Sequence, residues 1–267
     1  FWRDQRNWPL ILPNNNRSID PQRLADDYEN NGKATKEAEL IWTSQHLNIE
    51  IGVGIGSDSW RGADYWPDRA DSTLSLEELI KRSEVATVGI DGGGLDDLLG
   101  IGREMGTRQW LVWNHAFAHP KVLEIRKDIA AKLLDFEAEG SLTFCEVPDD
   151  VARMADFVQQ VLGAGLLPDK NAVGFDPNNI GTIVEELASR GITEPMFRRL
   201  AQGPALAPAL WGLERKLSDG TVSHSGLGLM NWGMGNAKVE MKGNSAMITK
   251  QGSGRANDNR VNEISEI

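Results

Sequence analysis

The hydrophobic and polar positions of this 267-residue chain follow regular periods from about residue 84 onward. Three apolar runs, at 85–91, 98–105 and 108–117, predict consecutive strands joined by short turns. Pro120 then opens a stretch with apolar residues at helical spacing, and Gly140 ends the helix that this spacing predicts. Strands and helices are predicted to alternate beyond it, with strands at 142–147, 172–176 and 196–201 and helices beginning near residues 149, 178 and 206.

This order of elements predicts an α/β fold. The short turns between the first three strands imply an antiparallel meander, whereas strands separated by helices imply parallel pairing through right-handed crossovers. The two together give a mixed sheet flanked by helices. That succession of strands and helices is the one found in ribonuclease H-like folds, and we expect this architecture here.

The first 82 residues lack such regularity and are rich in Asn, Asp, Trp and Pro. One helix is predicted from about Asp20 to His46, with Pro21 at a favourable first helical position. A weakly alternating run at 48–56 predicts a strand, and residues 75–82 predict a short helix. We therefore divide the chain into an irregular tail or linker at 1–82 and an α/β domain at 83–267.

Composition excludes several classes of protein. With 40% hydrophobic and 25% charged residues the chain is globular, and no apolar run approaches the roughly 20 residues that span a bilayer. The single cysteine, Cys145, excludes a disulfide framework. A formal net charge of -11 argues against a protein that coats duplex DNA, but it suits an enzyme whose acidic groups hold metal ions. The sequence begins at Phe1, and we expect it to be part of a longer chain.

Two predicted strands end in aspartate, at Asp91 after VGI and at Asp176 after VGF. If these strands are neighbours, their carboxylates start about 5 Å apart, which is the spacing between strands. Carboxylate oxygens are preferred ligands of Mg²⁺, and two ions about 3.5–4 Å apart can hold both reacting oxygens of a phosphodiester. The pattern thus predicts a phosphoryl-transfer site. The alternative is that each aspartate only caps a helix or binds turn amides.

Other polar residues have less specific patterns. Asp97, in the GGGLDD segment after Asp91, could add a metal ligand or cap the next element. No GxxxxGK[ST] motif occurs, which argues against ATP binding within these residues. His115 and His119 form an HxxxH pair without the further ligand of a zinc motif, so we interpret them as packing and turn residues.

The C-terminal segment 235–260 concentrates basic residues around two short predicted strands, AKVEM and AMITK. A basic, flexible edge beside an acidic metal site suits a DNA phosphate backbone, and Lys238 and Lys250 are the candidate contacts. The alternative is a solvated hairpin with no ligand.

Three segments together resemble one protein family: VGIDGGGLDDLLGIGREMGTRQWLVWNHAFAHP, VGFDPNNIGTIVEEL, and the block GNAKVE…MITKQGSG. They resemble the large terminase subunit of tailed bacteriophages and prophages, over about residues 40–254. The segment SQHLNIEIG…SDSWRGADYW resembles the junction that follows the ATPase domain in that family. The tail at 1–82 would then follow an ATPase domain that is not in this sequence.

The resemblance implies the C-terminal nuclease domain of a terminase, with a ribonuclease H-like fold. In that family the domain cuts concatemeric viral DNA with two Mg²⁺ or Mn²⁺ ions during genome packaging. By position, Asp91 matches the first acidic metal ligand and Asp176 the second, while Asp258 is the nearest match to the third. The resemblance also implies double-stranded DNA, portal protein and the small terminase subunit as partners, a possible homo-oligomer in the motor, no membrane association, and location in the host cytoplasm.

The leading hypothesis is a metal-dependent DNA endonuclease domain. Because the residues around Asp258 depart from the family's usual apolar context, a catalytically silent assembly module of the packaging motor stays open. A further alternative is another ribonuclease H-like enzyme that processes DNA, such as a transposase or a junction resolvase.

Overall fold

The structure, a computed structural model, describes residues 4–12, 20–34, 36–47, 60–92, 96–176, 180–200, 203–242 and 245–250. Contacts divide the chain into two compact units, Phe1–Ser59 and Trp60–Ile267. Residues 60–82, which the sequence pattern groups with the N-terminal segment, belong by their contacts to the second unit.

The described part of the first unit is helical and has a small aromatic core. The rings of Trp8, Tyr28 and Trp42 pack with centroids 4.9–5.5 Å apart, and Leu12 and Leu47 are buried with them. Its helical segments are a 3₁₀ turn at Gln5–Asn7, α1 (Trp8–Ile11), α2 (Pro21–Asp27), a π turn at Tyr28–Gly32, and α3 (Lys36–Leu47).

The single helix expected from Asp20 to His46 is interrupted in the structure. Asp20 caps α2 as its side chain accepts from the backbone of Gln22, but the helix changes to a π turn at Tyr28. The turn contains an Asn-Asn-Gly sequence, and asparagine and glycine are poor helix formers. A Cβ at Gly32 would lie 2.6 Å from the ring of Tyr28, so the close packing of the turn requires glycine there.

The second unit is built on a mixed sheet, which in the described residues has seven strands in the order β4-β3-β2-β1-β5-β6, with β7 also paired to β3. The long strands β1 and β3 each pair with β2 in antiparallel, and β4, β5, β6 and β7 pair with their neighbours in parallel. The predicted mixed sheet is thereby confirmed. The strands are β1 (Ser83–Asp91), β2 (Asp96–Glu104), β3 (Trp110–Ala118), β4 (Leu142–Phe144), β5 (Val173–Phe175), β6 (Phe197–Arg199) and β7 (Val222–His224).

Helices flank this sheet, and a separate hairpin follows it. Gly140 ends the helix Ala130–Glu139 in the left-handed conformation, with φ of 87°, as the pattern predicts. The elements are α4 (Gly62–Tyr65), a 3₁₀ turn at Trp66–Arg69, α5 (Leu76–Arg82), α6 (Val122–Ile125), α7 (Ala130–Glu139), α8 (Asp149–Gly163), α9 (Gly181–Ser189), a 3₁₀ turn at Pro204–Leu206, α10 (Ala207–Asp219), α11 (Gly228–Asn236), and the antiparallel strands β8 (Ala237–Lys242) and β9 (Ser245–Lys250).

The two faces of the sheet have different cores, because successive residues of a strand point to opposite faces. On one face, Val88, Ile90 and their neighbours pack against buried side chains of α5, α8 and α9. On the other, Ala116, Ala118 and Leu142 pack against α7 and against Leu229 of α11. This second face also carries the candidate site.

Other features differ from the sequence-based expectations or lie outside them. The second strand, predicted at 98–105, begins two residues earlier, at Asp96, and pairs along its length with both β1 and β3. The strand predicted at 48–56 and the helix start predicted near residue 178 lie outside the described residues. No pattern in the sequence predicts β7 or α11. No described helix has the length and hydrophobicity needed to cross a membrane.

Candidate active site

Asp91 and Asp176 are brought together by the pairing of β1 with β5. These strands run in parallel with Ile90 opposite Phe175, so the two aspartates follow as the next positions at the same edge of the sheet. Neighbouring strands lie about 4.8 Å apart, which places the two backbones close enough for both carboxylates to reach one ligand. The convergence that the sequence analysis required is therefore present in the backbone register.

The local sequence explains why Asp91 faces away from the main core. In β1, Val88 and Ile90 are each 4% exposed and pack on the α8 side of the sheet. The strand period of two then turns Gly89 and Asp91 to the opposite side. Gly174 pairs with Gly89, so on this face of the sheet the position two residues before each aspartate has no side chain.

A cavity of about 320 Å³ opens on this face of the sheet. Asp91 and Asp176 are its charged lining residues, and the remaining lining is mostly apolar. Its walls away from the sheet come from the segment after β6 and from α11: Leu200, Leu206, Leu229, Met230 and Met234. The site thus joins a carboxylate pair to a largely apolar recess.

Asp97 lies beside the pair by register. In the antiparallel ladder of β1 and β2, the partner of Asp91 is Asp97. The backbone therefore places three aspartates on adjacent strands, in the order Asp97, Asp91, Asp176. Asp97 stays a predicted metal ligand, now with a position next to the pair.

Asn114 is a site residue that the sequence analysis missed. It pairs with Leu99 of β2, which in turn pairs with Gly89, so Asn114 shares the sheet face of Asp91. Its side chain is buried, with 5% of the residue exposed, and it lines the cavity. An asparagine inside an apolar strand gives no signal in sequence until the register shows which face it occupies.

His115 borders the cavity, but its ring belongs to the opposite face. The imidazole packs against Trp113, Phe117 and Phe157, and its Nε2 lies 2.9 Å from Thr143 Oγ1. Burial lowers the pKa of His115 to about 4, against a smaller upward effect of a hydrogen bond to the backbone of Gly140. The imidazole is therefore neutral at pH 7 and held in the core.

His119 is separated from His115 and has its own partner. Its Nε2 lies 2.6 Å from a carboxylate oxygen of Glu146, and its Nδ1 accepts a hydrogen bond from the backbone of Lys121. The two histidines of the HxxxH pair thus have different surroundings, one in the core and one at a turn. The interpretation of both as packing and turn residues is confirmed.

Comparisons with known proteins give a structural match. No protein-family model matches the chain, and no curated protein matches it by sequence. Among solved structures, the chain is similar to the large terminase of bacteriophage HK97, with a TM-score of 0.53 and 18% identity over 93% of this chain and 50% of that one. The chain has the fold of a phage large terminase. It spans about half the length of the HK97 terminase that it matches.

A second solved structure is the large terminase nuclease from thermophilic phage G20c with bound cobalt. The similarity there has a TM-score of 0.41 and 12% identity, over 79% of this chain and 96% of that one. The terminase resemblance stated from the sequence motifs and the expected ribonuclease H-like fold are both confirmed at the level of the fold.

Within this terminase fold, the C-terminal hairpin lies next to the cavity wall. β8 follows α11 directly, and β9 contacts the turn Pro204–Leu206, whose Leu206 lines the cavity. Lys238 lies in β8 opposite Thr249, and Lys250 lies in β9 opposite Ala237. The two predicted strands are confirmed, and the DNA-binding role of the two lysines stays a prediction. Asp258 lies outside the described residues.

The donors of the candidate site fit hard divalent cations. Mg²⁺ keeps several waters and is commonly bound by one or two carboxylates plus substrate phosphates, so two adjacent carboxylates are a sufficient protein contribution. No cluster of three His, Cys, Asp or Glu side chains that could hold a metal occurs among the described side chains. The carboxylate pair at the strand ends is thus the part of a metal site that the described residues supply.

Proposed function

We propose that this chain is the nuclease part of a phage terminase large subunit and cleaves DNA with divalent metal ions held by Asp91 and Asp176. The observation that carries the proposal is the parallel register of β1 and β5, which aligns the two aspartates at one edge of the sheet and beside one cavity. The terminase-like fold and the sequence motifs around both aspartates support it.

The proposed reaction is hydrolysis of a phosphodiester by water. The ions would be two Mg²⁺ or Mn²⁺, and the chemistry they supply is neutralisation of phosphate charge and acidification of the attacking water. Asp91 and Asp176 would hold the ions and orient the scissile phosphate at the edge of the sheet. In this proposal Asp258 completes the ligand set and Asp97 adds a carboxylate by its register opposite Asp91.

The substrate in this proposal is concatemeric viral double-stranded DNA, cut during genome packaging in the host cytoplasm. Lys238 and Lys250 would contact the DNA backbone, since the hairpin that carries them lies next to the cavity wall. Portal protein and the small terminase subunit are the proposed protein partners, and a homo-oligomeric motor is the proposed setting. An acidic chain with a net charge of -11 depends on such local basic contacts to approach DNA.

The proposal is tested by removing each carboxylate charge while keeping the side-chain shape. We expect Asp91→Asn and Asp176→Asn each to reduce Mn²⁺-dependent nicking of supercoiled plasmid by ~100-fold or more, because each removes an ionised ligand. The control is Asp135→Asn on the exposed face of α7, which we expect to cleave like the unmodified chain. Thermal unfolding of all three variants verifies that they are folded.

Metal uptake separates the nuclease from the alternative of a silent assembly module. Calorimetry with Mn²⁺ is expected to show binding to the unmodified chain and to Asp135→Asn, and much weaker binding to Asp91→Asn. A folded chain that neither takes up Mn²⁺ nor cleaves DNA would favour the assembly module. Cleavage at an unchanged rate by Asp91→Asn would overturn the site assignment.

A further inference from the structure

The cavity beside the two aspartates has more apolar surface than metal binding requires. Besides Asp91 and Asp176, its polar side-chain lining is Asn114 and His115, and the ring of His115 packs on the other face of the sheet. Its volume of about 320 Å³ is near the lower end of the roughly 300–1,000 Å³ of small-molecule pockets. A recess of this size next to the proposed metal site can hold one planar group.

The floor of the recess is open at Gly89, whereas the paired Gly174 is covered by Leu200, whose Cδ1 would lie 2.8 Å from a Cβ placed there. Gly89 and Gly174 lie opposite each other, one residue before Ile90 and Phe175. A Cβ placed on Gly89 would meet nothing closer than Leu99 Cβ at 3.8 Å, so the space above this position is free of protein atoms. A ligand can therefore approach the backbone of the sheet at this position.

Asn114 supplies an amide that the protein does not use. The residue is 5% exposed and lines the cavity, and its side chain makes no hydrogen bond to the part of the chain that the structure describes. Because Asn114 lines the cavity, its amide is accessible to a ligand bound there. The amide offers both a donor and an acceptor.

The separation of Asn114 from Asp91 sets the size of that partner. The two lie two strands apart and two residues apart along the strands, which places their Cα atoms roughly 10–12 Å from each other. This is too far for the amide to hydrogen-bond the carboxylate directly. A ligand that reaches both must have an anionic or metal-binding end and a neutral, planar end with hydrogen-bonding atoms.

We propose that the recess receives one unstacked nucleobase of the cleaved DNA strand, and that the amide of Asn114 binds the edge of this base. The inference rests on the proposed nuclease function, because the phosphate next to that base would be the one held at Asp91 and Asp176. Leu200, Leu229 and Met230 supply apolar contacts for the base, and an asparagine amide can pair with two atoms of a base edge, adenine above all.

The test uses duplex oligonucleotides in which 2-aminopurine replaces one base at successive positions around a mapped cleavage site. This base analogue becomes more fluorescent when it leaves the base stack. Ca²⁺ replaces Mn²⁺ so that binding is measured without cleavage. With the full chain, we expect a fluorescence gain at one position next to the cleaved bond. Asn114→Leu, which removes the amide, should weaken that signal roughly tenfold, as expected for the loss of a bidentate base contact.

Two glycine variants provide a matched pair. Gly89→Ala adds a methyl group to the floor of the recess and should reduce the fluorescence gain. Gly100→Ala adds the same group with similar room, its nearest neighbour being Trp113 O at 3.7 Å, but on the other face of the sheet, since Gly100 pairs with Val88. Gly100→Ala should behave like the unmodified chain. If Asn114→Leu does not fold, the glycine pair decides the question.

Cleavage in Mn²⁺ provides the second readout. The unmodified chain should cleave fastest with one particular base at the position that enters the recess, and Asn114→Leu should lose this preference. On a substrate with an abasic site at that position, the unmodified chain and Asn114→Leu should cleave at equal rates. Cleavage without any fluorescence gain, and with equal preferences in both chains, would overturn the base recess but leave the nuclease standing. A fluorescence gain of equal size in Asn114→Leu would also overturn the base recess, whereas absence of Mn²⁺-dependent cleavage would overturn the nuclease and, with it, this inference. Absence of both signals would overturn both proposals.

Discussion

The imidazole of His115 gives a measurable consequence of burial at the scale of one residue. It is 7% exposed, and its pKa of about 4 lies below the ordinary value of 6.5 because burial opposes the charged form. Between these two pH values the unfolded chain binds a proton that the folded chain does not. Stability is therefore lost as pH falls from about 6.5 toward 4, and it is fully present above that range.

We expect the free energy of unfolding to fall by about 2 kcal/mol between pH 7 and pH 5 from this residue alone. His115→Phe should show a flatter pH dependence in denaturant titrations, since a phenyl ring fits among Trp113, Phe117 and Phe157 without titrating. The control Phe136→Leu, in the core on the other face of the sheet, should lower stability at each pH but keep the slope. His224, whose pKa is also lowered by burial, contributes in the same direction in all three chains. Equal slopes for His115→Phe and the unmodified chain would refute the assignment.

The residues of the candidate site differ in how far sequence alone could find them. Asp91 and Asp176 each come directly after a Val-Gly-apolar run, so their positions at strand ends could be predicted. Asn114 could not, because its importance depends on the register of three strands and on which face of the sheet it occupies. Single-residue patterns carry no information about that alignment.

At the scale of elements, α11 forms one wall of the cavity and is positioned by a side chain from α7. Oε1 of Glu139 accepts hydrogen bonds from the backbone N–H groups of Gly228, at 2.7 Å, and Leu229, at 3.3 Å, at the start of α11. A carboxylate at a helix N-terminus satisfies unpaired donors and interacts favourably with the helix dipole. Sequence gave no sign of this helix, since its Gly-rich and Met-rich stretch lacks an amphipathic period.

Removal of this cap should loosen α11. We expect Glu139→Ala to cost ~1–2 kcal/mol of unfolding free energy, while Glu139→Gln, which keeps an acceptor oxygen, should retain most of it. Hydrogen exchange at the amides of Gly228 and Leu229 should speed up in Glu139→Ala. Glu137→Ala, an exposed change on the same helix, is the control and should leave both measurements unaltered. Unchanged exchange in Glu139→Ala would show that the contact does not hold the helix.

At the scale of the whole molecule, the order of strands and helices from residue 84 onward was sufficient to predict the mixed sheet. The antiparallel meander follows from short turns and the parallel strands from helical crossovers. The packing of residues 60–82 could not be predicted in the same way. Their contacts with the sheet depend on side-chain pairs distant in sequence, such as Arg82 with Glu104 of β2 at 2.8 Å.

We propose that the sheet-containing unit begins at residue 60. Two shortened chains distinguish this boundary from one at residue 83. Trp60, Trp66, Leu76 and Leu79 are each no more than 4% exposed. Burial of a large apolar side chain stabilises a fold by about 1.5–3 kcal/mol, so loss of all four removes about 6–12 kcal/mol, which is comparable to the whole stability of a domain. A chain of residues 60–267 should therefore unfold cooperatively, and a chain of residues 83–267 should not. Circular dichroism during heating separates the two cases. A cooperative transition at the same temperature in the shorter chain would move the boundary to residue 83, because the core would then be complete without the four side chains.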